Sequence, residues 1–278
     1  MSLSIATFAA PKSSPEPTAI SYQSCASFTF DTEDFYNRDP KVAATAYLNG
    51  ALDVLELFNP PPFAEVQKRD ACVLLILQNG ADPNNTKSYT APLMMAIADN
   101  DLKAVQALLQ YKANPDVTDN ALFGDNKISA LHRACEGENE DIAIALINAG
   151  ADPAVGNPLW TAASNAEVNV VAAMLKTGRI PINQLSVFSD IGDDSETALD
   201  ASENRVNSVA QYFIQFNANS NISDKIDAAN EILYANYIKR SQLRTKSDPD
   251  AYLRDLLKDQ RQVSSLLKTA GWTCHKPH

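Results

Sequence analysis

One short phrase closes four separate stretches of this chain, and that self-similarity limits the possible fold more than any other feature. It reads Asn79-Gly80-Ala81-Asp82-Pro83-Asn84, Tyr111-Lys112-Ala113-Asn114-Pro115-Asp116, Ala149-Gly150-Ala151-Asp152-Pro153 and Phe216-Asn217-Ala218-Asn219-Ser220-Asn221. Each copy follows an apolar run of helical character, at residues 71–77, 105–109, 142–147 and 209–214. A weaker copy runs from Val170 to Gly178. A second phrase precedes the runs: Ala91-Pro92-Leu93-Met94-Met95-Ala96, Ser129-Ala130-Leu131-His132-Arg133-Ala134, Asn157-Pro158-Leu159-Trp160-Thr161-Ala162 and Thr197-Ala198-Leu199-Asp200-Ala201-Ser202. A unit this small cannot bury its own apolar face, so neighbours must stack into an elongated array.

The phrases carry local physics. Pro92 and Pro158 suit a first helical turn, where the missing N–H leaves no bond unmade. Ala96, Ala134 and Ala162 are small enough for neighbouring inner helices to approach closely. Gly80, Gly150 and Gly178 fit the left-handed residue that ends a helix. Lys112 and Asn217 stand at the same place and must adopt that conformation at some cost, Asn more easily.

Together the two phrases resemble the ankyrin repeat, with its T-P-L-H-x-A opening and L-L-x-x-G-A-D-x-N close. The copy from Ser129 to Pro153 is the best, and the resemblance spans roughly residues 63–222. It implies an all-α solenoid of about four repeats with helical caps at both ends. The units are uneven: insertions fall near Val117–Ile128 and Arg179–Glu196, the finger at Ala154–Gly156 is short, and the last repeat is one residue short between Ser202 and Val209.

The flanks are expected to cap the array. Residues 1–38 form a flexible leader. Residues 39–85 form a divergent first repeat, opened by Asp39-Pro40, halted by Asn59-Pro60-Pro61-Pro62 and completed by a helix from Phe63 to Gln78. Residues 86–222 hold the repeats. Residues 223–278 form a helical hairpin, with helices over 227–242 and 250–269, whose end, Leu266-Leu267-Lys268-Thr269-Ala270-Gly271, echoes the repeat close.

Composition narrows the function. Basic residues number 23 against 34 acidic, a net charge of −11. A chain with that balance is a poor general coat for nucleic acid. The charge is unevenly spread: −3 over residues 1–39, −11 over 40–222 and +3 over 223–278. No run reaches the ~18 apolar residues of a membrane span. The four cysteines, Cys25, Cys72, Cys135 and Cys274, show no repeated spacing, which argues against a disulfide scaffold or zinc ribbon and suits a reducing compartment.

The chemistry-bearing residues have plainer readings. No phosphate loop, dinucleotide glycine motif, H-E-x-x-H or C-x-x-C occurs. His132 holds the position that in ankyrin repeats is structural, and Cys135 reads as a core thiol. A Cys25–His132 thiol pair would place its nucleophile in the leader. Cys274, His275 and His278 lie at a terminus too frayed for a strong metal site. Asp193, Asp194 and Glu196 read as a solvated acidic fingertip. Neither cofactor nor metal is expected, and the chain is read as a binding module, not an enzyme.

The resemblance implies protein–protein interaction through the concave face, formed by the hairpin tips and the open side of the inner helices. Carried over by position, the tips are Lys87, Ser88 and Thr90; Asp125, Asn126 and Ile128; and Asp193, Asp194 and Glu196. The inner-helix positions are Met95, Ala98 and Asp99; Arg133, Glu136 and Gly137; and Thr161, Ser164 and Asn165, with Trp160 as a possible hot spot beside them. The acidic majority points to a partner protein with a basic surface or segment. A scaffold, inhibitor or targeting factor is expected, monomeric by itself and acting in a cytoplasm. Two rivals remain at this point: an effector delivered by a bacterium into a host cell's cytoplasm, and an enzyme whose activity lies in the leader or the C-terminal hairpin.

Overall fold

A computed structural model describes residues 63–84, 91–119, 128–181, 183–184, 197–216, 220–233 and 249–274, with side chains from Asp70 onward. The elements run α1 (Phe63–Gln78), α2 (Pro92–Ala98), α3 (Leu102–Gln110), β1 (Thr118–Asp119), β2 (Ile128–Ser129), α4 (Ala130–Glu136), α5 (Glu140–Asn148), α6 (Pro158–Ser164), α7 (Val168–Lys176), α8 (Ala198–Gln215), α9 (Ile222–Ile232) and α10 (Pro249–Thr269). Inner helices α2, α4 and α6 each have 7 residues, and outer helices α3, α5 and α7 each have 9. Inner packs on inner and outer on outer along the array. One continuous core results, from Cys72 through Leu93, Leu131, Leu146 and Met174 to Leu199.

The local reasons match the sequence. Pro92 and Pro158 stand in the first turn of α2 and α6. The Ser129 hydroxyl accepts from His132 N at 3.1 Å and caps α4. Gly80, Gly150 and Gly178 have φ of 89°, 98° and 65°, and Lys112 adopts the same left-handed geometry at 71°. Within each inner-to-outer turn one residue is also left-handed: Asn100, Glu138 and Ala166.

The last repeat is built differently. The residue corresponding to Asn100, Glu138 and Ala166 is Val206, whose branched Cβ opposes a left-handed backbone. The turn does not form, and α8 continues as a single 18-residue helix. A capping box, Thr197 with Asp200, fixes its start. No outer helix follows directly. Its place is taken by the second half of α10, which packs on outer helix α7 and along α8. Val263, Leu267 and Trp272 join the main core.

The repeat close is reproduced in full at the end of α10. Gly271 has φ 91°. Trp272 N donates to Leu267 O at 3.0 Å, as Ala151 N does to Leu146 O at 3.0 Å. The C-terminal helix therefore completes the array instead of lying over it.

Residues between the two halves of this split repeat form a second cluster: Val209, Tyr212, Ala229, Leu233, Leu253 and Leu256. Inside it Asp250 accepts from Tyr212 Oη and Lys225 Nζ, both at 2.7 Å. Helix α9 begins at Ile222, earlier than the expected 227, and residues 234–248 lie outside the described structure.

Two other differences stand out. The described structure is helical except for a two-residue antiparallel pair, Thr118 with Ser129 and Asp119 with Ile128, at the base of one finger. Cys72 is disulfide-bonded, whereas Cys135 and Cys274 are free. The expected leader (1–38), the opening of the first repeat at Asp39-Pro40 and the residues His275 and His278 fall outside the described residues.

Candidate functional site

The inner helices and the finger bases form the strip that the ankyrin resemblance assigns to the concave side. Its centre is Arg133 on α4. The guanidinium meets Asp119 of β1 at 2.8 Å and Glu136 at 2.8 Å. The His132 ring lies 3.4 Å from the Glu136 carboxylate. Burial by itself would raise the Glu136 pKa, but the hydrogen bond and charge of His132, joined by Arg133, hold it below its ordinary value. The strip thus keeps a carboxylate ionised beside a guanidinium that already carries two acidic partners.

His132 is 3 % exposed, and its Nδ1 donates to Gly156 O of the next finger at 2.5 Å. That bond ties two repeats together, as the structural reading expects. Cys135 is buried, and burial, then the nearby Glu167 carboxylate, push its thiol well above the ordinary range. A thiol held protonated in the core is a poor nucleophile.

The transferred positions divide sharply. Ala98 and Glu136 are exposed, and Asp99, Ile128, Arg133, Gly137, Trp160 and Ser164 are partly exposed. Met95 and Thr161 are corrections: they are 2 % and 7 % exposed. A seven-residue helix clasped between two neighbours opens only its last turn, and at the Met95 and Thr161 position only a side chain as long as that of Arg133 reaches solvent. Asn165 is a third correction. It is 7 % exposed and donates from Nδ2 to Cys135 O at 3.0 Å, a bond between repeats and not a contact surface. Ser164 faces Arg205, whose Nη2 lies 3.5 Å from its Oγ. Trp160 Nε1 is buried without a hydrogen-bond partner among the described residues. Lys87, Ser88, Thr90, Asp125, Asn126, Asp193, Asp194 and Glu196 lie outside the described residues.

Sequence reasoning missed Asp119. Its signal was the strand pair that brings it beside Arg133 across an insertion, which no local pattern reveals. Among the described residues no group of three or more His, Cys, Asp or Glu side chains is placed to hold a metal ion. No described helix is long and apolar enough to cross a membrane.

Residues 63–157 match the family model for ankyrin repeats in three copies. This stretch of the chain consists of ankyrin repeats. Ankyrin repeats generally mediate protein–protein interaction and are typically non-enzymatic. In this ankyrin array the match stops at Asn157, just after the shortened finger ends. The α6–α7 pair and the split repeat continue the same stacking beyond it.

Proposed function

We propose that this ankyrin array binds a partner protein through its concave strip and that the partner offers a basic segment. The observation that carries the reading is the state of Arg133. It is held by both Asp119 and Glu136, so its charge is outweighed locally, and partly exposed Asp99 lies on the preceding repeat. The fingertip acids Asp125, Asp193, Asp194 and Glu196 would add to that field. Neighbouring repeats sit ~10 Å apart, near the Debye length in cells, so these fields overlap. Such overlap speeds association with a cationic partner more than it deepens final affinity.

A scaffold, inhibitor or targeting role is consistent with this chemistry, and the chain would act as a monomer. The test is affinity purification with the full chain and with Asp99→Lys/Glu136→Lys, the captured proteins being identified by mass spectrometry. A partner held by the wild type and lost by the variant supports the reading. Equal capture by both proteins refutes the concave strip as the binding surface.

A further inference from the structure

The outer face of α10 carries a charge pattern opposite to that of the array. Arg254, Lys258, Arg261, Ser265 and Lys268 follow one another at steps of four, three, four and three, and all are exposed. At 3.6 residues per turn that spacing keeps them within one face about 80° wide, and at 1.5 Å per residue the stripe is about 20 Å long. It runs beside a groove of about 580 Å³ between α8 and α10, bordered by Arg261, Ser265 and Lys268. Lys268 already holds a carboxylate, Glu203 Oε1 at 2.8 Å. Arg254 lies over the Phe213 ring, 5.9 Å from its centroid. Lys258 and Arg261 have no ion-pair partner among the described residues.

We propose that this stripe is a second docking surface and that its occupant is an acidic helical segment of a partner protein. A carboxylate row repeating at steps of four and three faces Arg254, Lys258 and Arg261 in register, with Ser265 and the already paired Lys268 completing the stripe, as charged rows do between paired helices. The Glu203–Lys268 contact shows the geometry of one such meeting. The flanks favour a narrow occupant. Asp255 and Asp259 lie exposed on the adjacent face of the same helix, and the whole chain carries −11. A membrane plane or a duplex, spreading beyond one helix width, would meet those acids. This inference is independent of the concave-strip reading, because it uses other residues and a partner of opposite charge.

The test uses the full chain and a labelled alanine-based helix of about 20 residues carrying glutamates at the same four–three steps. A glutamine version, a DNA duplex and phosphatidylserine vesicles serve as comparisons. Fluorescence anisotropy should show salt-sensitive binding of the glutamate helix. Binding should weaken about tenfold or more for the glutamine helix and for Lys258→Glu/Arg261→Glu. Asp99→Lys/Glu136→Lys should bind the glutamate helix as the wild type does. If the reversed pair misfolds by circular dichroism, Lys258→Gln/Arg261→Gln should still weaken binding several-fold. The proposal is overturned if the glutamate helix does not bind, if the folded stripe variant binds it undiminished, or if duplex or vesicles bind more tightly.

Discussion

Thr273 and Asn183 exchange two hydrogen bonds across the end of the array. Thr273 N donates to Asn183 Oδ1 at 2.8 Å, and Asn183 Nδ2 donates to Thr273 Oγ1 at 2.9 Å. Earlier closes are joined in the same way: Asn114 N donates to Asn84 Oδ1, and Asp152 N to Asp116 Oδ1, both at 2.6 Å. The C-terminal segment is thus bonded like a repeat, although its inner helix lies far upstream.

That arrangement makes α10 part of the core. Leu267 is fully buried against it, so Leu267→Ala should cost ~2–5 kcal/mol, the range for a core leucine. Chemical denaturation should show the loss. Removing residues 259–278 should leave the α7–α8 face open and cause self-association, visible in light scattering. A truncated monomer that melts like the full chain would contradict the split repeat.

The Asp250 site makes stability depend on pH. Burial would raise this carboxyl's pKa, but hydrogen bonds from Lys225 and Tyr212 lower it overall. Its folded pKa therefore lies below the unfolded value. The stabilisation is complete above the unfolded carboxylate range and disappears as pH falls through the folded pKa. Asp250→Asn should remove about 1–3 kcal/mol at neutral pH, because Lys225 is left buried with a weaker partner. The difference from wild type should shrink as the buffer is made more acidic than pH ~4. A gap that stays constant with pH would contradict the assignment.

His132→Ala should lower stability by ~1–2 kcal/mol, the scale of a lost buried hydrogen bond, through the bond to Gly156 O. Partner capture by the folded variant should be nearly unchanged. Full stability with lost capture would instead make His132 a contact residue.

Lys112 stands where three other closes place Gly80, Gly150 and Gly178, at φ 71°. A non-glycine residue there costs roughly 1–2 kcal/mol, partly offset because glycine loses more chain entropy on folding. Lys112→Gly should therefore stabilise by about 0.5 kcal/mol, read as a higher denaturation midpoint. A lower midpoint would contradict the strain argument.

Much of the fold was legible because its determinants are local. Pro92, Pro158, Gly80, Gly150 and Gly178 announce helix starts and stops wherever they occur. The echo at Leu266–Gly271 was also visible, but its partner was not. Joining it to Ala198–Ser202 depends on a turn that fails at Val206 and on contacts between distant segments. The candidate site was less legible. Exposure on a short inner helix depends on what both neighbours cover, so Met95, Thr161 and Asn165 are buried against expectation while Glu136 and Ala98 are exposed. The pairing of Arg133 with Asp119 crosses an insertion of no fixed length.

The central claim is that the concave strip receives a basic segment of another protein. Hydrogen exchange of the full chain, with and without a saturating Lys- and Arg-rich peptide, tests it most directly. The account predicts slowed exchange at residues 98–100 and 128–137, with α3, α5 and α7 unchanged. Protection confined to those outer helices, or none anywhere at saturation, would contradict it.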